Sequence, residues 1–284
     1  MLTVSALKAL LNAHRLRLTK RLGQHHLIDA RAIRRIIEGC ALLSEETVLE
    51  IGSGLGALTE SLAPLARRVL AVEVDRRICP LLQERMRGYR NVTVACEDIL
   101  QLSWEDLRDI VVVGAIPYHI TAPIFVSLCE HRARIRRAVL IVQQEVAQRL
   151  LAEPGTKAYG RLSVLGRYCW EIAPIAAISR SAFFPQPTVD STALRLAPRL
   201  SSPVAVEREP VFFELVKAAF SQRRKTLVNC LLQEKRLARS RPEALAIVEE
   251  TGLPAAVRGE TLSLEQFAAL ANRLGRDKND YTAF

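Results

Sequence analysis

No long hydrophobic run occurs in the 284 residues. The longest apolar stretches, such as Ala138 to Val142 and Ile110 to Val113, fall far short of the roughly 20 residues that a membrane-spanning helix needs. A soluble protein is therefore expected. Close cysteine pairs are lacking too. Cys40, Cys79, Cys96, Cys129, Cys169 and Cys230 lie far apart, which argues against a zinc ribbon or a disulfide framework and for reduced, mostly buried thiols inside a cell. There is no internal repeat and no low-complexity tract. A secretory signal is also missing, because Lys8 interrupts the only apolar run near the start and no small-residue cleavage pattern follows. Acidic residues are scarce in the first 35 positions, where Lys8, Arg15, Arg17, Lys20, Arg21, Arg31, Arg34 and Arg35 face only Asp29. Most of the net charge of +10 is thus gathered at one end. Such a cluster suits a polyanionic partner, because contacts with phosphates release condensed counterions. The same basic start also fits a mitochondrial transit peptide, the alternative to a cytoplasmic location.

With 49% hydrophobic residues, a chain of this length builds a full core, enough for one large domain and a small appendage. Leu7 to Leu11 reads as a short helix, and Ala30 to Cys40 as a longer one with Asp29 as N-cap. After Ser44, segments rich in Val and Ile recur with helical spacers between them: Thr47 to Ile51, Val69 to Val74, Val92 to Cys96, Ile110 to Gly114 and Ala138 to Val142. Nearly continuous apolar strands alternating with helices predict a parallel sheet covered on both faces, an α/β fold. Arg167 to Ala176 and Thr188 to Leu196 are joined through the Pro-containing stretch Phe183 to Pro187 without a clear helix. They are expected to form an antiparallel hairpin at the sheet edge. From Leu200 only helices are expected, roughly Pro210 to Gln233, Pro242 to Thr251 and Leu264 to Leu274. The expected division is a basic segment at 1–29, an α/β domain at 30–199 and a helical domain at 200–284.

Val48-Leu49-Glu50-Ile51-Gly52-Ser53-Gly54-Leu55-Gly56-Ala57 runs from a strand through a glycine loop toward a helix. Gly52 and Gly54 let the backbone approach a ligand at the carboxyl end of the sheet, where α/β folds bind nucleotides. The spacing satisfies G-x-G-x-x-A, so a nicotinamide dinucleotide stays open as a ligand. Glu73, near the end of the next strand, is placed to accept hydrogen bonds from ribose hydroxyls of either kind of adenosine cofactor. Two further carboxylates favour a sulfonium cofactor, S-adenosylmethionine. Glu50, just before the loop, tolerates an amino acid and a positive sulfur better than a pyrophosphate. Asp98, after the third strand, is placed to accept from an exocyclic adenine amine. Both carboxylates also read as plain strand-end caps.

Val112-Val113-Gly114-Ala115-Ile116-Pro117-Tyr118 ends the fourth strand in a polar-poor turn. Four more stretches stand in order around it and the glycine loop. They are Lys20-Arg21-Leu22-Gly23-Gln24-His25-His26-Leu27-Ile28-Asp29, Tyr159-Gly160-Arg161-Leu162-Ser163, Phe183-Phe184-Pro185-Gln186-Pro187-Thr188-Val189-Asp190-Ser191 and Phe220-Ser221-Gln222-Arg223-Arg224-Lys225-Thr226-Leu227. In these six motifs the chain resembles the KsgA-type small-subunit rRNA adenine N6,N6-dimethyltransferases over nearly its whole length. The erythromycin-resistance rRNA methyltransferases share the fold and some motifs, but Arg223-Arg224-Lys225-Thr226-Leu227 is closer to the small-subunit branch. The resemblance implies a Rossmann-like methyltransferase fold: a mostly parallel seven-stranded sheet with an antiparallel edge hairpin, plus a small all-α, RNA-binding C-terminal domain. It implies dimethylation of adenine N6 in a small-subunit rRNA loop, coupled to subunit biogenesis, with S-adenosylmethionine as cofactor and no metal. The cofactor pocket would be lined by His25, Leu27, Gly52, Gly54, Glu73, Asp98 and Ala115. A metal at His25 and His26 is disfavoured, since no acidic or cysteine partner stands at ligand spacing.

The family's motif at 115 to 118 reads Asn-Leu-Pro-Tyr or Asn-Ile-Pro-Tyr, and here Ala115 stands in place of the asparagine. By the resemblance the catalytic group is Ala115, Ile116, Pro117, Tyr118 and Phe183. The adenine N6 lone pair is conjugated into the ring, so the amine must be drawn toward tetrahedral geometry by acceptors for its protons. The family uses the Asn side chain and the next carbonyl, here that of Ile116, while Tyr118 and Phe183 stack on a flipped base. Alanine has no acceptor. If its effect resembles loss of one oxyanion-hole partner, methylation slows by about 10²–10³-fold. Ala115 reads as an engineered inactivation, a natural loss, or a variant in which another group substitutes. A ribosome-assembly factor that binds rRNA and cofactor without transferring methyl groups is therefore the second reading. A nicotinamide oxidoreductase, supported by glycine spacing only, is the third. RNA contacts are expected at Arg132, Arg134, Arg136 and Arg137 before the fifth strand, and at Arg223, Arg224 and Lys225 on the first tail helix. With the basic N-terminus these would line one positive face. A monomer is expected, because docking on a ribosome uses much of the charged surface.

Overall fold

The computed structural model describes residues 3–16, 18, 25–117 and 120–276. Tyr118, Arg17 and the stretch Lys20 to Gln24 lie outside the described residues. Two short strands, β1 (His26–Leu27) and β8 (Phe183–Phe184), pair antiparallel as a small ribbon. The main sheet contains β2 (Thr47–Ile51), β3 (Arg68–Val72), β4 (Val92–Ala95), β5 (Ile110–Ala115), β6 (Ile135–Gln143), β7 (Trp170–Ile178) and β9 (Ser191–Pro198). Its order is β4-β3-β2-β5-β6-β9-β7, with β4 to β6 parallel and β9 antiparallel to β6. The expected mostly parallel seven-stranded sheet with an antiparallel edge is thus present. The helices are α1 (Val4–Ala13), α2 (Ala30–Cys40), α3 (Thr59–Leu62), α4 (Cys79–Met86), α5 (Thr121–Glu130), α6 (Gln144–Leu151), α7 (Arg161–Cys169), α8 (Glu209–Ala219), α9 (Leu227–Gln233), α10 (Arg241–Glu250) and α11 (Leu264–Arg276).

The central strands are apolar on both faces because helices cover both. Val48, Leu49 and Ile51 of β2 and Ile110 to Val113 of β5 are all buried, each side chain contributing roughly 1.5–3 kcal/mol of transfer free energy. Helix α2 begins where Asp29 accepts from the Ala32 amide at 2.7 Å. It ends at Ala41, whose φ of 45° is left-handed, so the chain turns sharply into β2. Gly114 lets β5 approach β2 closely, since a Cβ there would stand 2.7 Å from the Ile51 carbonyl oxygen.

Two expected elements differ. Residues 167–169 belong to α7, and the strand starts only at Trp170. The tail segment Pro210 to Gln233 is two helices, interrupted between Phe220 and Thr226, where Thr226 takes an extended conformation before α9. Backbone bonding explains that break: the Lys225 amide closes a turn on the Gln222 carbonyl and the Leu227 amide bonds the distant Val257 carbonyl.

The chain divides into two compact units, one of residues 1–147 with 171–198, the other of residues 148–170 with 199–284. A single cut near residue 200 therefore misses one exchange of chain: 148–170 packs with the tail. Within that second unit the Tyr159 hydroxyl donates to the Leu262 carbonyl at 2.9 Å, the Tyr168 hydroxyl bonds Glu209 at 2.7 Å, and the Tyr168 ring lies 4.5 Å from that of Phe212. The described cysteines are all free thiols, and Cys96 alone among them is not buried. No described helix is long and apolar enough to cross a membrane.

Candidate functional site

Four neighbouring parallel strands bring the expected residues to one edge of the first unit. In the order β4-β3-β2-β5, their carboxyl ends carry Asp98, Glu73, the loop of Gly52 and Gly54, and Ala115. Gly52 has φ of 70°, and a Cβ there would stand 3.4 Å from the Ala115 carbonyl oxygen, so the β2 and β5 turns are in contact. Gly54 has φ of 54° and its amide donates to Glu73 Oε2 at 2.8 Å. The Asp75 amide donates to Glu73 Oε1 at 2.9 Å. Burial raises the Glu73 pKa, and these two amides work against that rise. Asp98 accepts from the Leu100 amide at 3.0 Å as N-cap of a short 3-10 turn, so the cap reading holds for it without using up its second oxygen. Ile116 is buried with its amide bonded to the Ile141 carbonyl, and the Pro117 carbonyl accepts from Thr121 Oγ1 at 3.2 Å. Phe183 is 5% exposed and shares one apolar cluster with Leu27, Ile141 and Ala193, with Ala115 packed against it. Its burial is that of a core side chain.

His26, the neighbour of the expected pocket residue His25, packs against the glycine loop. A Cβ on Gly54 would stand 2.8 Å from His26 Nδ1. His26, Leu27, Leu55, Ala57 and Leu7 of α1 line a small cleft. Burial, then repulsion from His25, lowers the His26 pKa to about 4, so the ring is neutral at pH 7. Its buried Nε2 has no hydrogen-bond partner. His25 turns the other way, with Nδ1 2.6 Å from the Pro185 carbonyl oxygen. His26 pairs with Phe184 in the β1–β8 ribbon, and His25 stands just before that strand.

Glu50 is 1% exposed and accepts from Thr59 Oγ1 at 2.5 Å. Burial raises its pKa to about 7, against the lowering effect of the Thr59 and Ser53 bonds. The unfolded chain ionises this group near 4.5, so between 4.5 and 7 the folded state holds the extra proton and loses stability as pH rises. Urea melts should show wild type losing about 3 kcal/mol relative to Glu50→Gln across that window. Parallel curves for the two proteins would contradict this assignment.

The cations separate into two kinds. Arg137, expected on the RNA face, is 7% exposed and serves the interior. Its guanidinium bonds both oxygens of Glu46, at 2.8 and 2.5 Å, and the carbonyls of Cys40 and Ala41 at the end of α2, at 2.6 and 2.8 Å. Burial alone would raise the Glu46 pKa, but Arg137 and the Leu43 amide hold it below the ordinary value. Arg136, in β6, is exposed and pairs with Asp109. Arg134 donates to the Glu105 and Leu107 carbonyls, and Arg132 to that of Cys129. In the second unit Arg223 donates to the Lys157 and Tyr159 carbonyls, while Arg224 and Lys225 are exposed. All three sit on the turn between α8 and α9, not on a helix.

A family model described as ribosomal RNA adenine dimethylase matches residues 15–274. A ribosomal RNA small subunit methyltransferase A of Geobacillus sp. (strain WCH70) is 41% identical over 264 residues, 90% of this chain and 91% of the relative. The protein of the same name from Bacillus mycoides (strain KBAB4) is 43% identical over 264 residues, 90% of each. Among solved structures, a dimethyladenosine transferase from Plasmodium falciparum superposes with a TM-score of 0.71 at 27% identity, covering 88% of this chain and 98% of that one. The 23S rRNA methyltransferase ErmE gives a TM-score of 0.61 at 29% identity, covering 88% and 99%.

Proposed function

Because the chain belongs to the ribosomal RNA adenine dimethylase family, we propose that it transfers methyl groups from S-adenosylmethionine to adenine N6 in small-subunit ribosomal RNA. The observation that carries this reading is the gathering of Asp98, Glu73, the glycine loop and Ala115 at the ends of four adjacent strands. The cofactor supplies a methyl carbon made electrophilic by positive sulfur. Glu73 would bind the ribose hydroxyls and Asp98 the adenine amine, with Gly52, Gly54 and Leu27 forming the walls. Phe183 and Tyr118 would hold the target base between rings, an interaction worth roughly 1–3 kcal/mol per base. The Ile116 carbonyl would accept one proton of the target amine. The chain's part would be to hold N6 in line with the methyl carbon and let the surplus proton of the methylated amine pass to solvent. Catalysis is chiefly alignment of nitrogen, carbon and sulfur. RNA would be held by cations of each unit, Arg132, Arg134 and Arg136 in the first and Arg223, Arg224 and Lys225 in the second. A monomer acting in the cytoplasm and contributing to subunit biogenesis completes the proposal, with residues 30–199 and 200–284 as its catalytic and RNA-binding parts apart from 148–170.

Ala115 favours a second reading, an assembly factor that binds rRNA without modifying it. Radiolabelled methyl transfer to undermethylated small subunits separates the two. Label incorporated by the wild-type chain is the expected result. Binding of S-adenosylmethionine without transfer, restored by Ala115→Asn, would establish the assembly factor instead. Tighter binding of a nicotinamide dinucleotide than of S-adenosylmethionine would end both.

A further inference from the structure

We infer that Gln143 supplies the proton acceptor that Ala115 lacks, and that Ser191 positions it. This rests on the reading of the chain as an adenine N6 methyltransferase. A conjugated amine with two protons needs two acceptors to be drawn toward tetrahedral geometry, and Ala115 leaves only the Ile116 carbonyl.

The register locates a replacement. Ala115 pairs with Ile141 of β6, and Ile141 with Ala193 of β9. Gln143 is the last residue of β6 and pairs with Ser191, the first of β9. Side chains two apart on a strand share a face. Ile141 and Ala193 belong to the cluster that contains Phe183 and against which Ala115 packs, so Gln143 and Ser191 lie on that same face. Gln143 sits one strand spacing (~4.8 Å) sideways and two residues (~6.6 Å) beyond Ala115, toward the open carboxyl edge. Its side chain is one methylene longer than asparagine and partly exposed, long enough for its carboxamide to span toward the edge from which an asparagine at 115 would have projected.

Ser191 provides a second, independent sign. It is 2% exposed, yet its hydroxyl has no hydrogen-bond partner. Such groups are rare in folded proteins because a buried hydroxyl left unpaired forfeits its hydrogen bonds to water. Residues directly opposite in an antiparallel pair have Cβ atoms about 4.5–5.5 Å apart, within reach of a serine–glutamine bond. Once substrate enters, Gln143 Nε2 would donate to the Ser191 Oγ that is unpaired in this structure, leaving Gln143 Oε1 for the amine. Hydrogen bonds of this kind commonly tighten only when the substrate arrives.

A double-mutant cycle on the full chain tests this, read by methyl transfer to undermethylated small subunits, with S-adenosylmethionine affinity and thermal melting as controls. With Ala115 present, Gln143→Leu should lower kcat by about 10²–10³-fold and leave cofactor affinity and melting nearly unchanged. With Ala115→Asn the same change should cost less than tenfold, because the asparagine carries the acceptor. Ser191→Ala should lower kcat about tenfold in the Ala115 chain only. Equal losses in both backgrounds would show a structural role and overturn the inference. So would an inactive wild type rescued by Ala115→Asn. Inactivity of every protein, Ala115→Asn included, would instead overturn the proposed activity itself.

Discussion

Glu46→Ala should destabilise the protein by about 3–5 kcal/mol, the typical cost of stranding one member of a buried ion pair. Arg137 is 7% exposed and Glu46 4% exposed, so neither charge can turn to water once its partner is gone. The pair does more than neutralise charge. The same guanidinium holds two carbonyls at the end of α2, and Glu46 Oε2 also accepts from the Leu43 amide at 2.9 Å. Removing the carboxylate loosens the connection between α2 and β2 as well. Chemical denaturation should show the midpoint falling with little change in slope. Replacing both residues, as Glu46→Leu with Arg137→Met, should recover much of the loss, because no charge is left buried. A Glu46→Ala midpoint within about 0.5 kcal/mol of wild type, the scatter of ordinary surface changes, would show that the pair is not buried in solution.

Gly54→Val should weaken S-adenosylmethionine binding by about a hundred- to a thousandfold. A left-handed conformation costs a residue with a Cβ about 1–2 kcal/mol, and Gly54 has φ of 54°. The new side chain would also start 2.8 Å from the His26 ring, and the ring is buried with little room to retreat. Loop and histidine then separate, and the Gly54 amide loses Glu73. A hydrogen bond to a charged group contributes about 1.5–3 kcal/mol. Since each 1.4 kcal/mol is a factor of ten in affinity, the combined cost corresponds to the stated range. Titration calorimetry with the cofactor measures it. An affinity within a few-fold of wild type, in a protein that still melts cooperatively, would mean that the loop does not form the cofactor's seat.

Much of this was legible in the sequence where the deciding interactions are local. The bounds of β2 and α2 follow from a β-branched run before glycine and from an aspartate three residues ahead of the amide it caps. Glycine loop, acidic strand ends and the β5 turn were likewise readable, because topology alone delivers them to one edge. Interactions across long separations were not. Arg137 reads as one more cation in a basic run, and its true partner Glu46 lies 91 residues away. The packing of His26 on the glycine loop accompanies its pairing with Phe184, 158 positions away. The break between α8 and α9 carries no proline or glycine and is stabilised by a bond from Leu227 to Val257. Gln143 has no motif of its own and Ser191 only closes one, and the strand register alone pairs the two, two residues beyond Ile141 and Ala193.

The exchange of chain between the two units bears on synthesis from the N-terminus. Helix α7 is made between β6 and β7, so the sheet can be complete at residue 198 while α7 still waits for α8 and α11, which follow in the sequence. Until then Val164, Leu165 and Tyr168, buried in the finished protein, have no tail to pack on. A gene cut at residue 199 would freeze that unfinished stage, giving a sticky fragment prone to self-association in place of a tidy autonomous domain. A trimmed version for the laboratory would have to excise or resurface α7 together with the tail.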